Sequence, residues 1–174
     1  MKKFTLILAL IGMITLQSCV TEEVMVADSI DNDTIGEVFE YSNVDFHSGN
    51  NFNVFLDYPH TIYASDMVLI YHLYEVNNGN DVWRLMPHTY YLGGGDELDY
   101  NFDFTRYDAN VFLAANFNLN TLSSSWSQNQ VFRVVVIPAN FGNKTAETLD
   151  INNYDEVVKH YNISTSKIIK IALK

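Results

Sequence analysis

Leu98-Asp99-Tyr100-Asn101-Phe102-Asp103-Phe104-Thr105 decides the fold class. Four apolar residues alternate strictly with Asp, Asn and Thr, and an extended chain sends successive side chains to opposite sides. Such a strand keeps one face on a core and the other in water, the habit of antiparallel sheets. Runs rich in Val, Ile, Tyr and Phe recur on both sides of it: Val38 to Phe46, Phe52 to Tyr58, Met67 to Val76, Val82 to Tyr91, Val111 to Phe117, Val131 to Ile137 and Ile168 to Leu173. Asn/Gly clusters such as Asn77-Asn78-Gly79-Asn80-Asp81 and Gly93-Gly94-Gly95-Asp96 punctuate them. About eight short strands with turns between them, and no repeated crossover helices, predict an all-β antiparallel β-sandwich over residues 37–174.

One short helix is expected near the C-terminus. Asn153 is placed to cap it, Glu156 follows three residues later, and Tyr154, Val157, Val158 and Tyr161 form an apolar stripe at helical spacing. Asn162 would end it before the last strand.

The opposite end of the chain carries an address. Met1-Lys2-Lys3 supplies two positive charges, and Phe4 to Thr15 is apolar and uncharged. That run is too short to span ~30 Å of hydrocarbon as a stable helix, and it ends at a small residue followed by the chain's only cysteine, as an export signal does. Leu16-Gln17-Ser18-Cys19 resembles the lipobox of bacterial lipoproteins, which implies cleavage after residue 18 and lipid on Cys19. Two or three acyl chains hold a protein on a bilayer without any inserted segment, since each buried CH2 contributes ~0.8 kcal/mol. Residues 19–36, rich in Asp, Glu and Thr, read as the lipidated N-terminus and a flexible acidic linker.

Within that linker, Thr21-Glu22-Glu23 resembles the acidic export signal of Bacteroidota surface lipoproteins. Asp28-Ser29-Ile30 and Asp33-Thr34-Ile35 resemble the O-glycosylation triad of the same phylum. The expected location is therefore the outer membrane, with the domain facing either the cell surface or the periplasm.

Removal of the signal takes two of the ten Lys+Arg and none of the 21 Asp+Glu, leaving a formal charge of −13 on the mature chain. Nucleic acid and anionic lipid surfaces are poor partners for such a chain. With Cys19 lipidated no thiol remains, so stability rests on packing, and cysteine nucleophiles, thiolate metal sites and dithiol redox chemistry are excluded. The sequence has no G-x-S-x-G elbow, H-E-x-x-H, P-loop or helix-opening G-x-G-x-x-G.

Five histidines are scattered, and only His72 and His88 have a route to each other, through a hairpin turning at Asn77 to Asp81. Two imidazoles are half of a zinc or copper site, and no third ligand accompanies them. Asp96, Glu97, Asp99, Asp103 and Asp108 crowd one hairpin without the spacing of a calcium loop, and solvation of a strand's wet face accounts for them. No catalytic set, metal site or cofactor is expected.

The aromatic complement is what can bind: eleven Tyr, eleven Phe and two Trp. Trp126, in the polar stretch Ser123 to Gln130, is the candidate ligand contact, and the alternative is a loop that folds back so that Trp126 closes one end of the core.

Val82-Trp83-Arg84-Leu85-Met86-Pro87, Tyr100-Asn101-Phe102-Asp103-Phe104-Thr105 and Val131-Phe132-Arg133-Val134-Val135-Val136-Ile137-Pro138, in that order, resemble small lipoproteins of flavobacteria. The resemblance covers most of residues 37–174. Several such proteins carry a collagen-like Gly-X-Y stalk after the lipid cysteine, and this chain has a short acidic one instead. The expectation is a membrane-anchored, non-catalytic binding or envelope-interaction module whose partner is an envelope protein. Surface glycan capture is the runner-up, recognisable by a flat exposed platform around Trp126, and a hydrolase is the third class.

Overall fold

A computed structural model describes residues 36–139 and 149–174. The signal, the lipobox with Cys19, and the linker triads lie outside the described residues. Nine strands are present among those described: β1 (Glu37–Val44), β2 (Asn53–Asp57), β3 (Met67–Asn77), β4 (Asn80–Leu85), β5 (His88–Gly93), β6 (Asp96–Phe104), β7 (Asp108–Ala115), β8 (Gln130–Ile137) and β9 (Ile169–Ala172). They form a five-stranded sheet ordered β4-β3-β8-β1-β9 and a four-stranded sheet ordered β2-β7-β6-β5. Every pairing is antiparallel except β1 with β9. The fold is the expected all-β sandwich with one short C-terminal helix.

The ninth strand comes from a break inside Val82 to Tyr91. Met86 donates its N–H to the Ile70 carbonyl, and Pro87 has no N–H with which to continue the ladder. The chain there leaves the edge of the five-stranded sheet and becomes β5, the edge of the other. The β3–β4 hairpin turns through Asn78 and Gly79, both at positive φ (51° and 82°), which the twist of a two-residue hairpin requires and which Asn and Gly tolerate.

Inward-facing residues of both sheets make the main core, with Phe39, Tyr41, Ile70, Leu98, Tyr100 and Phe132 fully buried. Along β6 the alternation tracks the core only partway: Leu98 and Tyr100 are buried, Phe102 is half-buried, and Phe104 at the strand's end is 42 % exposed. Three buried tyrosines donate their hydroxyls to backbone carbonyls distant in the chain. Tyr41 donates to the Asp57 carbonyl (2.7 Å), Tyr71 to that of Ile151 (2.6 Å), and Tyr100 to that of Trp126.

A second apolar layer lies on the outer face of the five-stranded sheet. A one-turn helix, α1 (Ser124–Ser127), precedes β8, and a longer one, α2 (Tyr154–His160), follows it. The Asn153 side chain accepts from the N–H groups of Asp155 and Glu156, the cap its position predicts, while Glu156 accepts from the Asn153 side-chain amide rather than from its backbone N–H, which goes to the Asp150 carbonyl. Asn162, at φ 54°, takes the left-handed conformation that follows a helix end. Tyr154, Val157 and Val158 pack on Val38, Tyr71, Val135 and Ile137 of the sheet. The outer face of the four-stranded sheet carries no such cover among the described residues. It presents Asp57, Asp99, Asp103 and Asp108 around Phe55 and Tyr91, the latter 78 % exposed.

Candidate functional site

One end of the sandwich gathers the residues capable of recognition, and its foundation is buried. His72 on β3 faces inward and is 2 % exposed, its ring packed near-parallel against those of Tyr100 (4.4 Å between centroids) and Phe132 (5.0 Å). Nε2 lies 2.9 Å from Gln130 Oε1 and Nδ1 lies 2.9 Å from the Tyr90 hydroxyl. Gln130 Nε2 donates to the carbonyls of Ser125 and Gln128, which fixes the amide with its oxygen toward His72. His72 therefore carries its proton on Nε2, donates to Gln130, and accepts from Tyr90 on Nδ1. Burial pulls its pKa from the ordinary 6.5 to about 4, so the ring is neutral.

This network reaches the surface through Tyr90, whose hydroxyl burial pushes up to about 12 against the pull of Arg84. Tyr74, one inward position beyond His72 on β3, stacks on Tyr90 at 5.6 Å and an interplanar angle of 11°. The Arg84 guanidinium lies 3.4 Å from the Tyr74 ring centroid and 5.1 Å from that of Tyr90, with Nη1 3.4 Å from His88 Nε2. Burial, and then the charge of Arg84, lower the pKa of His88. Trp126 on α1 closes the group, half-buried against the main core. Its ring lies 4.8 Å from Tyr90 at 50° and 6.3 Å from Tyr74 at 39°. A shallow pocket of about 250 Å³ opens among Tyr74, Glu75, Ser125 and Trp126, with His72 and Gln130 also lining it.

His72 and His88 do not meet across the hairpin. The β3–β4 register sets His72 opposite Arg84, and His88 lies beyond the strand break, on the other sheet opposite Tyr100. Both His72 nitrogens already have partners, and the described residues hold no group of three or more His, Cys, Asp or Glu side chains arranged for a metal. Of the acidic hairpin residues, Glu97, Asp99, Asp103 and Asp108 are distributed along the outer face of the four-stranded sheet, where Asp99 accepts from Thr89 (2.5 Å) and Asp108 from Thr105 (2.7 Å), and Asp96 sits at the turn opposite Gly93. No described helix is long and apolar enough to cross a membrane.

A second arginine is stacked on the outer face of the five-stranded sheet. Arg133 on β8 lies 4.1 Å from the Trp83 ring centroid and 4.8 Å from that of Tyr154. Its Nε and Nη2 donate to Glu40 Oε2 at 2.9 and 2.8 Å, Asp81 stands 3.8 Å away, and Lys170 binds the other Glu40 oxygen at 2.9 Å. Arg84, Tyr74 and Arg133 are the residues that sequence reasoning did not single out, because their roles depend on which strand lies beside which.

No family model matches the chain, and neither a curated protein nor a solved structure is significantly similar to it.

Proposed function

We propose that this chain is an exported lipoprotein, held on the outer membrane by lipid on Cys19, whose sandwich domain is a non-catalytic module that contacts an envelope protein. The N-terminal pattern supplies the address, and the resemblance to flavobacterial lipoproteins points the same way. The observation that carries the module reading is the group formed by Trp126, Tyr74 and Arg84. These residue types dominate the energy of protein interfaces, because each brings a large, stiff or multiply hydrogen-bonding surface. Here they are half-exposed on a foundation whose polar atoms are paired, so little side-chain freedom is left to lose on contact.

The test has two arms. Membrane fractions should retain the wild-type chain and release Cys19→Ala. After gentle detergent extraction, the wild-type chain should migrate in native gels within an assembly larger than one mature, lipidated chain in its micelle. Tyr74→Ala should lower that size without lowering the thermal midpoint by more than a few degrees. A chain that migrates alone, or that stays in the membrane without Cys19, contradicts the proposal.

The pocket of about 250 Å³ beside Trp126 favours glycan capture as a second reading, being the size for a single ring rather than a drug-sized ligand (~300 Å³ and above). An extended sugar chain asks for coplanar rings, and those around Trp126 are tilted by 39° and 50°. Glycan-array binding abolished by Trp126→Ala would decide for that reading.

A further inference from the structure

We propose that Arg84 is a carboxylate-binding site, taking an acidic side chain or chain end of the protein partner. The proposal rests on the reading of the chain as a binding module and names the chemistry that its contact site receives.

Arg133 and Arg84 are built alike. Each lays its guanidinium near two aromatic rings, 4.1 and 4.8 Å from the ring centres for Arg133, 3.4 and 5.1 Å for Arg84. A guanidinium packed against ring faces keeps its N–H groups for acceptors lying in its own plane, and the fork they make fits the two oxygens of a carboxylate. Arg133 has that acceptor within the chain, as Glu40. Arg84 has none: among the described residues no carboxylate lies within 4 Å of its nitrogens, although acids outnumber bases by 21 to 10 in the chain. Its neighbours are neutral acceptors, His88 Nε2 at 3.4 Å and the Tyr90 hydroxyl. One guanidinium is closed by its own chain, and the other is held in place and left open by the described residues.

The charges facing Arg84 are few. His72 is neutral, and Glu75 is exposed beside the Tyr74 ring. The chain's negative field slows an anion's approach but is largely screened beyond ~8 Å at physiological salt, so it leaves the contact itself intact. It does weigh against a doubly charged phosphate more than against a carboxylate carrying one charge.

The direct test follows the guanidinium Nε–H resonances of the ¹⁵N-labelled full chain in detergent micelles during titration with N-acetylglycine, with sodium phosphate and sodium chloride at matched ionic strength as separate arms. N-acetylglycine should shift Arg84 saturably and leave Arg133 in place, phosphate should act more weakly, and chloride should do nothing. In Arg84→Lys, read at the Tyr74 ring protons, affinity should fall about tenfold, since the ammonium keeps the charge and loses the fork. Absence of a saturable shift, equal shifts at both arginines, or an equal response to phosphate would overturn the assignment. The probe needs no partner, so its failure removes the carboxylate site alone. Failure of the native-gel assay removes the module reading on which the site rests.

Discussion

Two arginines in one sheet show how the same local arrangement becomes framework in one place and a free hand in another. Arg133 and Glu40 are both 13 % exposed, under the cover that begins with Tyr154 of α2, and the stack and the ion pair close on each other. Arg84 stacks at the hairpin edge, where Tyr74 and Trp126 are only half-covered and, among the described residues, no carboxylate stands opposite. Burial makes the difference energetic as well as geometric. A buried guanidinium stripped of its acid is an uncompensated charge in a poorly solvated place, whereas a half-exposed one keeps water as an alternative.

The largest effect should follow from breaking the closed pair. Glu40→Gln leaves Arg133, only 13 % exposed, with the more distant Asp81 at 3.8 Å as its remaining carboxylate among the described residues, and should cost ~3 kcal/mol of unfolding free energy in a urea titration. Burial alone would raise the Glu40 pKa, but hydrogen bonds and charge from Lys170 and Arg133 outweigh it and hold the carboxyl below its ordinary 4.5. The sign follows: this contribution is present above pH 4.5 and is lost as pH falls through the depressed value.

Acid should strike the open end first, by way of His72. Its folded pKa of about 4 lies below the ordinary 6.5, so between those values the unfolded chain binds a proton that the folded chain does not. Stability should fall by about 3 kcal/mol as pH drops across that window and then level off as far as His72 is concerned. Urea midpoints between pH 7 and 4 measure the slope, and His72→Phe should remove most of it, leaving the share of His88, whose pKa is also lowered. A flat wild-type profile would show that the imidazole is not held neutral in its buried place against Tyr100 and Phe132.

A smaller change separates the two arginines without touching either. Asn153→Ala removes the cap of α2 and should cost ~1 kcal/mol, since two N–H groups lose their acceptor. Loosening Tyr154 should disturb the Arg133 resonances and leave those of Arg84 unchanged.

What the sequence announced and what it concealed divide along the same line. The Asn153 cap, the Asn78-Gly79 turn and the sidedness of β6 are decided within a few residues, so single-chain patterns reveal them. Phe104 shows the limit even there, because alternation tells which way a side chain points and not whether anything covers it. Val82 to Tyr91 reads as one strand because its apolar pattern runs through Pro87, and the division shows only when Met86 is seen to be the last donor to Ile70. Trp126 was visible as a candidate. Its tilt against Tyr90 and Tyr74 was not, since that depends on α1 packing against strands about 35 to 50 residues earlier in the chain. Arg84 meets Tyr74 only through a hairpin whose register shifts between Leu73 and Glu75, and no local rule places that irregularity.

The most direct test of the division between framework and free hand is the paired urea unfolding of Arg133→Gln and Arg84→Gln at pH 7. Arg133→Gln should lose ~3 kcal/mol, and Arg84→Gln should stay within about 1 kcal/mol of wild type, the worth of a partly exposed cation stacked on an aromatic ring. Equal losses, or a larger loss at Arg84, would contradict the account, because Arg84 would then be framework and not available for contact.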